Sequence, residues 1–150
     1  MTTVLIIAHA PLASALREVA QHAYPDCAAD VLALDVPRDA SAEQIEADAR
    51  ALISQHSDAE TLVFTDVFGA TPCRGATLLL GNPRVRLVAG VNVPMLWRTL
   101  CYGTREPLDA LVARAVAGAT QGVMHVTASP PQNQAVRASS DDQTGRLDQQ

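Results

Sequence analysis

Two residues stand at places where titratable side chains do chemistry. His9 closes the first apolar run, Val4-Leu5-Ile6-Ile7-Ala8-His9, and Asp66 closes a third, inside Thr65-Asp66-Val67-Phe68-Gly69-Ala70-Thr71-Pro72. If both runs are parallel strands of one sheet, both residues lie at carboxyl ends, on the side where open α/β sheets hold their ligands. A carboxylate bonded to one imidazole nitrogen fixes the tautomer and leaves the other nitrogen as a lone-pair nucleophile. This is the orienting logic of a catalytic triad applied to histidine itself. The plainer reading is a strand-end histidine with a satisfied hydrogen bond and an aspartate that only forms a turn. Beyond Asp66 come a small-residue turn, the Thr71 hydroxyl and a predicted helix start, whose free N–H groups and dipole favour an anion. A phosphoryl group asks mainly for positioning and charge stabilisation, and such a set supplies both.

The elements that must position these groups follow from the alternation of short aliphatic runs with longer segments of helical periodicity. Strands are predicted over Thr3 to Ala8, Asp30 to Asp35, Thr61 to Asp66 and Val85 to Ala89. Leu12, Leu16, Val19 and Ala20 give a first helix its apolar face, with Pro11 in the opening turn. Ser41 and Gln44 have the spacing of a capping box for a second helix running to about His56. A third opens at Thr71-Pro72 and stops near Gly81-Asn82-Pro83. Pro94 marks the first turn of another helix, and a last one is predicted from Pro107 to Ala117. The apolar segment Gly122 to Thr127 reads as a fifth strand. From Ala128 onward Pro, Gln, Ser, Asp and Gly replace the aliphatics, which predicts a disordered polar tail over 128–150 behind a domain of residues 1–127.

Composition limits the function classes. A chain of 150 residues suits one domain and one site. The apolar share of 48% with only 3% aromatics favours small-residue packing of helices on a parallel sheet. The net charge of −5, with no lysine anywhere, argues against nucleic acid and anionic membranes as partners. Cys27, Cys73 and Cys101 lack the spacing of a zinc or redox motif, and no histidines have metal-ligand spacing, so neither metal nor cofactor is expected. The first apolar stretch is too short for a signal h-region or a membrane span, and a cytoplasmic location is expected. His22 and His56 read as structural or solvated residues near helix ends, His125 as part of the fifth strand, and Trp97 as core.

The run ending in His9, the loop Thr65 to Pro72, and Gly90-Val91-Asn92-Val93-Pro94-Met95-Leu96 together resemble the enzyme IIA components of the mannose, fructose and sorbose class of the bacterial sugar phosphotransferase system. The resemblance covers roughly residues 1 to 127. It implies an α/β fold with an open sheet in order 2-1-3-4, helices on both faces, and a fifth antiparallel strand exchanged in a homodimer. It also implies that His9 accepts phosphate from the histidine phosphocarrier HPr with Asp66 bonded to the ring, and that Phe68, Gly69 and Thr71 line the phosphate pocket. His9 would pass the group to a IIB component or hold it as a regulatory signal. The alternative is a binding module whose partners change with phosphorylation, without sugar transport. The IIA domain of dihydroxyacetone kinase systems fits less well, for want of the Gly69-Ala70-Thr71-Pro72 sequence. A flavodoxin-like binder would need a hydroxyl-rich loop after the first strand, which Ala8 to Ala13 does not supply.

The chain departs from this family at a few positions. Ala10 stands where the family has glycine, Gly69-Ala70 where a Gly-Gly pair is common, and Cys73-Arg74 where serine and asparagine are commoner. Ala70 is compatible with the loop only if its φ is negative. Cys73 reads as a small buried residue. Arg74 reads either as a contact to phosphate or to a partner's acid, or as a solvated side chain.

Overall fold

The computed structural model describes residues 1–128 except Ser57, Tyr102 and Thr104. Four strands form one parallel sheet: β1 (Thr2–His9), β2 (Leu32–Val36), β3 (Glu60–Thr65) and β4 (Val85–Ala89). Their order is β2-β1-β3-β4, as the family resemblance implies. The central position of β1 explains its unbroken apolar run. Val4, Ile6 and Ala8 pack on one face and Leu5 and Ile7 on the other, all at 3% exposure or less. A strand covered on both faces has no solvent side to keep polar.

On the first face lie α1 (Leu12–Ala23), α2 (Pro25–Ala28), α5 (Val93–Leu100) and α6 (Leu108–Gln121). Ala13, Leu16, Met95, Leu96, Leu111 and Ala115 close that core over Leu62 and Phe64. On the second face α3 (Ala42–Ser54) and α4 (Thr71–Thr77), continued by a 3₁₀ turn to Gly81, place Ile45, Ala49, Ala76 and Leu79 over Val63 and Val85. Gly75 lets α3 and α4 approach closely, since a Cβ there would stand 2.6 Å from Ile45.

Local signals explain the helix boundaries. The Ser41 hydroxyl accepts the Gln44 amide at 3.1 Å, which is half of the predicted capping box. The reciprocal half is absent, because the Gln44 side chain turns forward to Asp48 at 3.0 Å. Asn92 caps α5 by accepting the Met95 amide at 2.9 Å, and Pro94 stands inside the first turn, where a missing N–H costs nothing.

Several expectations need correction. The helix expected to end at Ala117 continues for a further turn, to Gln121. The third helix tightens to 3₁₀ after Thr77. The second strand begins at Leu32 rather than Asp30, and the four-residue α2 before it was not foreseen. Trp97 is not core: it is half exposed on α5 and packs against Tyr24 with ring centroids 4.9 Å apart and the planes tilted by 54°. The segment Gly122 to Thr127 is not a strand of this chain's own sheet. It leaves α6 in irregular conformation with Val123, Met124 and Val126 at least 75% exposed. Apart from Ala128, the predicted polar tail lies outside the described residues.

Candidate active site at the carboxyl edge of the sheet

Because β1 and β3 are adjacent and parallel, with Ile7 level with Thr65, the residues that follow them emerge side by side. Asp66 therefore reaches His9 across 57 positions of sequence. One carboxylate oxygen, Oδ2, accepts the His9 backbone amide at 3.0 Å and faces the ring nitrogen Nδ1 at 2.6 Å. The other, Oδ1, accepts the Val67 amide at 2.9 Å. An ionised carboxylate only accepts hydrogen bonds, so the proton of this pair belongs to Nδ1. In the neutral ring Nε2 then carries the free lone pair.

The two partners differ in exposure. The His9 side chain is 51% exposed, whereas that of Asp66 is only 8% exposed. Burial pushes the Asp66 carboxyl upward, but hydrogen bonds from the His9 amide, the His9 ring and the Val67 amide, with the attraction of the imidazole, outweigh it and hold the pKa below the usual value. The carboxylate is thus kept ionised and aimed.

The topology also places the pair at the switch point of the sheet. The chain leaves β1 toward β2 on one side, and β3 lies on the other, so His9 is at the point where the strand order reverses. The turn after β1 is held by the Ala10 amide donating to Val36 at 2.9 Å. It is also held by Asp35, at the end of β2, which accepts the Ser14 amide at 3.0 Å and the Ser14 hydroxyl at 2.5 Å. This Ser14–Asp35 clamp was not read from the sequence. Its one signal was a charged residue inside an otherwise aliphatic strand.

The loop from Asp66 to Thr71 is shaped by Gly69 at φ +82°, a conformation that glycine adopts without strain. Ala70 is extended at φ −72°, so a second glycine is unnecessary. Among the described residues the amides of Phe68 and Gly69 have no acceptor. Successive free amides about a left-handed residue make a concavity suited to an anion. Phe68 projects outward at 87% exposure, at the rim of this loop, and Val67 is 58% exposed. Thr71 opens α4, and its hydroxyl oxygen accepts Arg74 Nη2 at 3.1 Å.

The remaining sequence candidates stay away from this edge. Cys73 is buried, as expected. His22 and His125 are exposed and His56 is half-buried, and none of them pairs with a carboxylate among the described residues. Among the described residues no group of three His, Cys, Asp or Glu side chains could hold a metal. No helix of the described residues is long and apolar enough to cross a membrane.

An open parallel α/β sheet with an oriented imidazole at its switch point defines a class, and comparison with known proteins narrows it. Residues 3–116 match the family model for the phosphotransferase-system fructose IIA component, EIIA-man, and the chain belongs to that family. It is 35% identical over 71 residues to the mannose-specific EIIAB components of Escherichia coli K12 and Shigella flexneri. That alignment takes in 46% of this chain and 22% of each relative, so the chain matches about a fifth of their length. Among solved structures, the mannose/sorbose-specific IIA subunit from Enterococcus faecalis superposes with a TM-score of 0.79 at 22% identity, over 86% of this chain and 97% of that one. The EIIA component from Streptococcus agalactiae superposes at 0.72 and 21% identity, over 83% and 97%. At that identity the structural likeness speaks for the fold.

Proposed function

We propose that this chain is a phosphoryl carrier in which His9 accepts phosphate from the phosphohistidine of HPr. The observation that carries the reading is the 2.6 Å contact between His9 Nδ1 and Asp66 Oδ2, on a His9 side chain that is half exposed. Nε2 attacks phosphorus while the donor's N–P bond breaks and its electron pair returns to the donor imidazole. Asp66 retains the Nδ1 proton in its hydrogen bond and offsets the positive charge that grows on the His9 ring. The free amides of Phe68 and Gly69 and the Thr71 hydroxyl would hold the phosphoryl oxygens. The phosphate then passes to a IIB component or stays as a regulatory charge that changes which partner binds.

We also propose a homodimer in which the segment after α6 pairs with the sheet of a second copy. The exposed Val123, Met124 and Val126 have no cover among the described residues. An added strand would remove an open sheet edge. The functional reading is tested by incubating the chain with phosphoenolpyruvate, enzyme I and HPr and following intact mass. The expected result is one acid-labile, base-stable phosphate that maps to His9 and requires HPr. An unlabelled folded chain beside phosphorylated HPr would overturn the reading. A labelled chain with no IIB acceptor would favour the regulatory branch.

A further inference from the structure

We infer that Arg74 is a phosphoryl-positioning residue of the His9 site, acting through the hydroxyl of Thr71; the inference rests on the phosphoryl-carrier reading. Arg74 Nη2 donates to Thr71 Oγ1 at 3.1 Å. An oxygen that accepts from a guanidinium keeps its own proton to give, and the charge behind it makes that proton a stronger donor. Among the described residues the Thr71 hydroxyl has no acceptor. It stands at the end of the loop that begins at Asp66, the partner of His9, so its unused proton belongs to the same loop as the residue that orients the ring.

Arg74, like several other arginines but unlike Arg50, Arg86 and Arg114, has no ion pair among the described residues. Arg50 is bound to Glu46, Arg86 to Asp109 and Arg114 to Glu106. No carboxylate among the described residues neutralises Arg74, although the chain as a whole is acidic. Its backbone is anchored, the amide donating to Ala70 at 2.9 Å, while its side chain is exposed. An unneutralised guanidinium held one helical turn from a loop with two free amides adds the fixed positive charge that those amides lack. Two sets of charge then act on the phosphorylated state: Asp66 on the ring and Arg74 with Thr71 on the phosphoryl oxygens.

The test is the equilibrium of phosphoryl exchange between HPr and the chain, read by mass at fixed ratios of the two proteins. Arg74→Gln is expected to lower the phosphorylated share of the exchange constant about tenfold, and Arg74→Lys to recover part of it, because an ammonium keeps the charge but loses the planar fork. Thr71→Val is expected to cause a similar fall, and the double variant to fall no further than the single ones, since both remove one relay. A purely structural arginine would shift thermal unfolding and leave the exchange constant unchanged. An R74Q protein that exchanges like wild type, or R74Q and T71V effects that multiply in full, would overturn the inference while wild-type labelling on His9 leaves the carrier reading standing. Absence of wild-type labelling overturns both. If R74Q fails to fold, the Lys and Val variants carry the same comparison.

Discussion

Asp66 performs three tasks with two oxygens: it holds the His9 backbone, sets the tautomer of the ring and tightens its own loop through Val67. Substituting alanine removes all three, and Asp66→Ala is expected to slow phosphate uptake by about 100-fold or more, measured as the rate of labelling by phospho-HPr. His9→Gln should abolish labelling and leave the melting temperature close to wild type, because the ring is half exposed. The lowered Asp66 pKa also has a sign for stability. A carboxyl whose folded pKa lies below its unfolded value of about 4 contributes stability that is complete above that value and fades as pH falls through the folded one. Asp66→Asn should therefore flatten the acid side of the stability curve below about pH 4, measured by denaturant titration at several pH values. Both partners were legible as residues, because each closes an aliphatic run at a predictable strand end. Their bond was an inference from topology. The Ser14–Asp35 clamp and the Arg74–Thr71 bond were not legible, since a hydroxyl within a helix and an exposed arginine have many possible partners until the backbone selects one.

At the scale of elements, close helix packing is carried by residues without side chains. A Cβ on Gly75 would stand 2.6 Å from Ile45 and 3.1 Å from the Ala42 carbonyl, so Gly75→Ala must push α4 from α3. That change is expected to destabilise the fold by about 1–3 kcal/mol, read from chemical unfolding. Where α5 meets α6, Gly118 and Gly122 bring the helix within 2.7 Å of Arg98 and 2.2 Å of Pro94 as measured from the missing Cβ, and the groove between them is edged by Trp97. Trp97 read as core because Leu96 and Leu100 flank it. Helical geometry turns those two inward and leaves the indole outward, against Tyr24. On the same side, Cys101 at the end of α5 has its thiol pushed up to about 11 by burial first, then by hydrogen bonding and charge from Cys27. It is expected to alkylate slowly with iodoacetamide at pH 8, by peptide mass mapping, and to react faster in a Cys27→Ala protein.

At the scale of the whole molecule, among the described residues the sheet has no strand beyond β2 or β4, and the apolar segment that follows α6 pairs with neither. If a second copy covers it, Val126→Asp should convert a dimer into a monomer by light scattering, with little change in the helix content of either. A wild-type chain that is already monomeric at micromolar concentration would overturn the dimer. The sequence by itself determined the fold class and the two residues of the candidate pair, because aliphatic runs, helix stops and strand ends are local features written in consecutive residues; the strand order followed only from the family resemblance. It did not determine how closely Asp66 meets the ring, which side chain Arg74 holds, which face of α5 carries Trp97, or whether residues 122–127 pair. Those depend on distances between elements far apart in the chain. Only the packed parallel sheet brings His9 and Asp66 to 2.6 Å, since register between neighbouring strands is a property of neither strand alone.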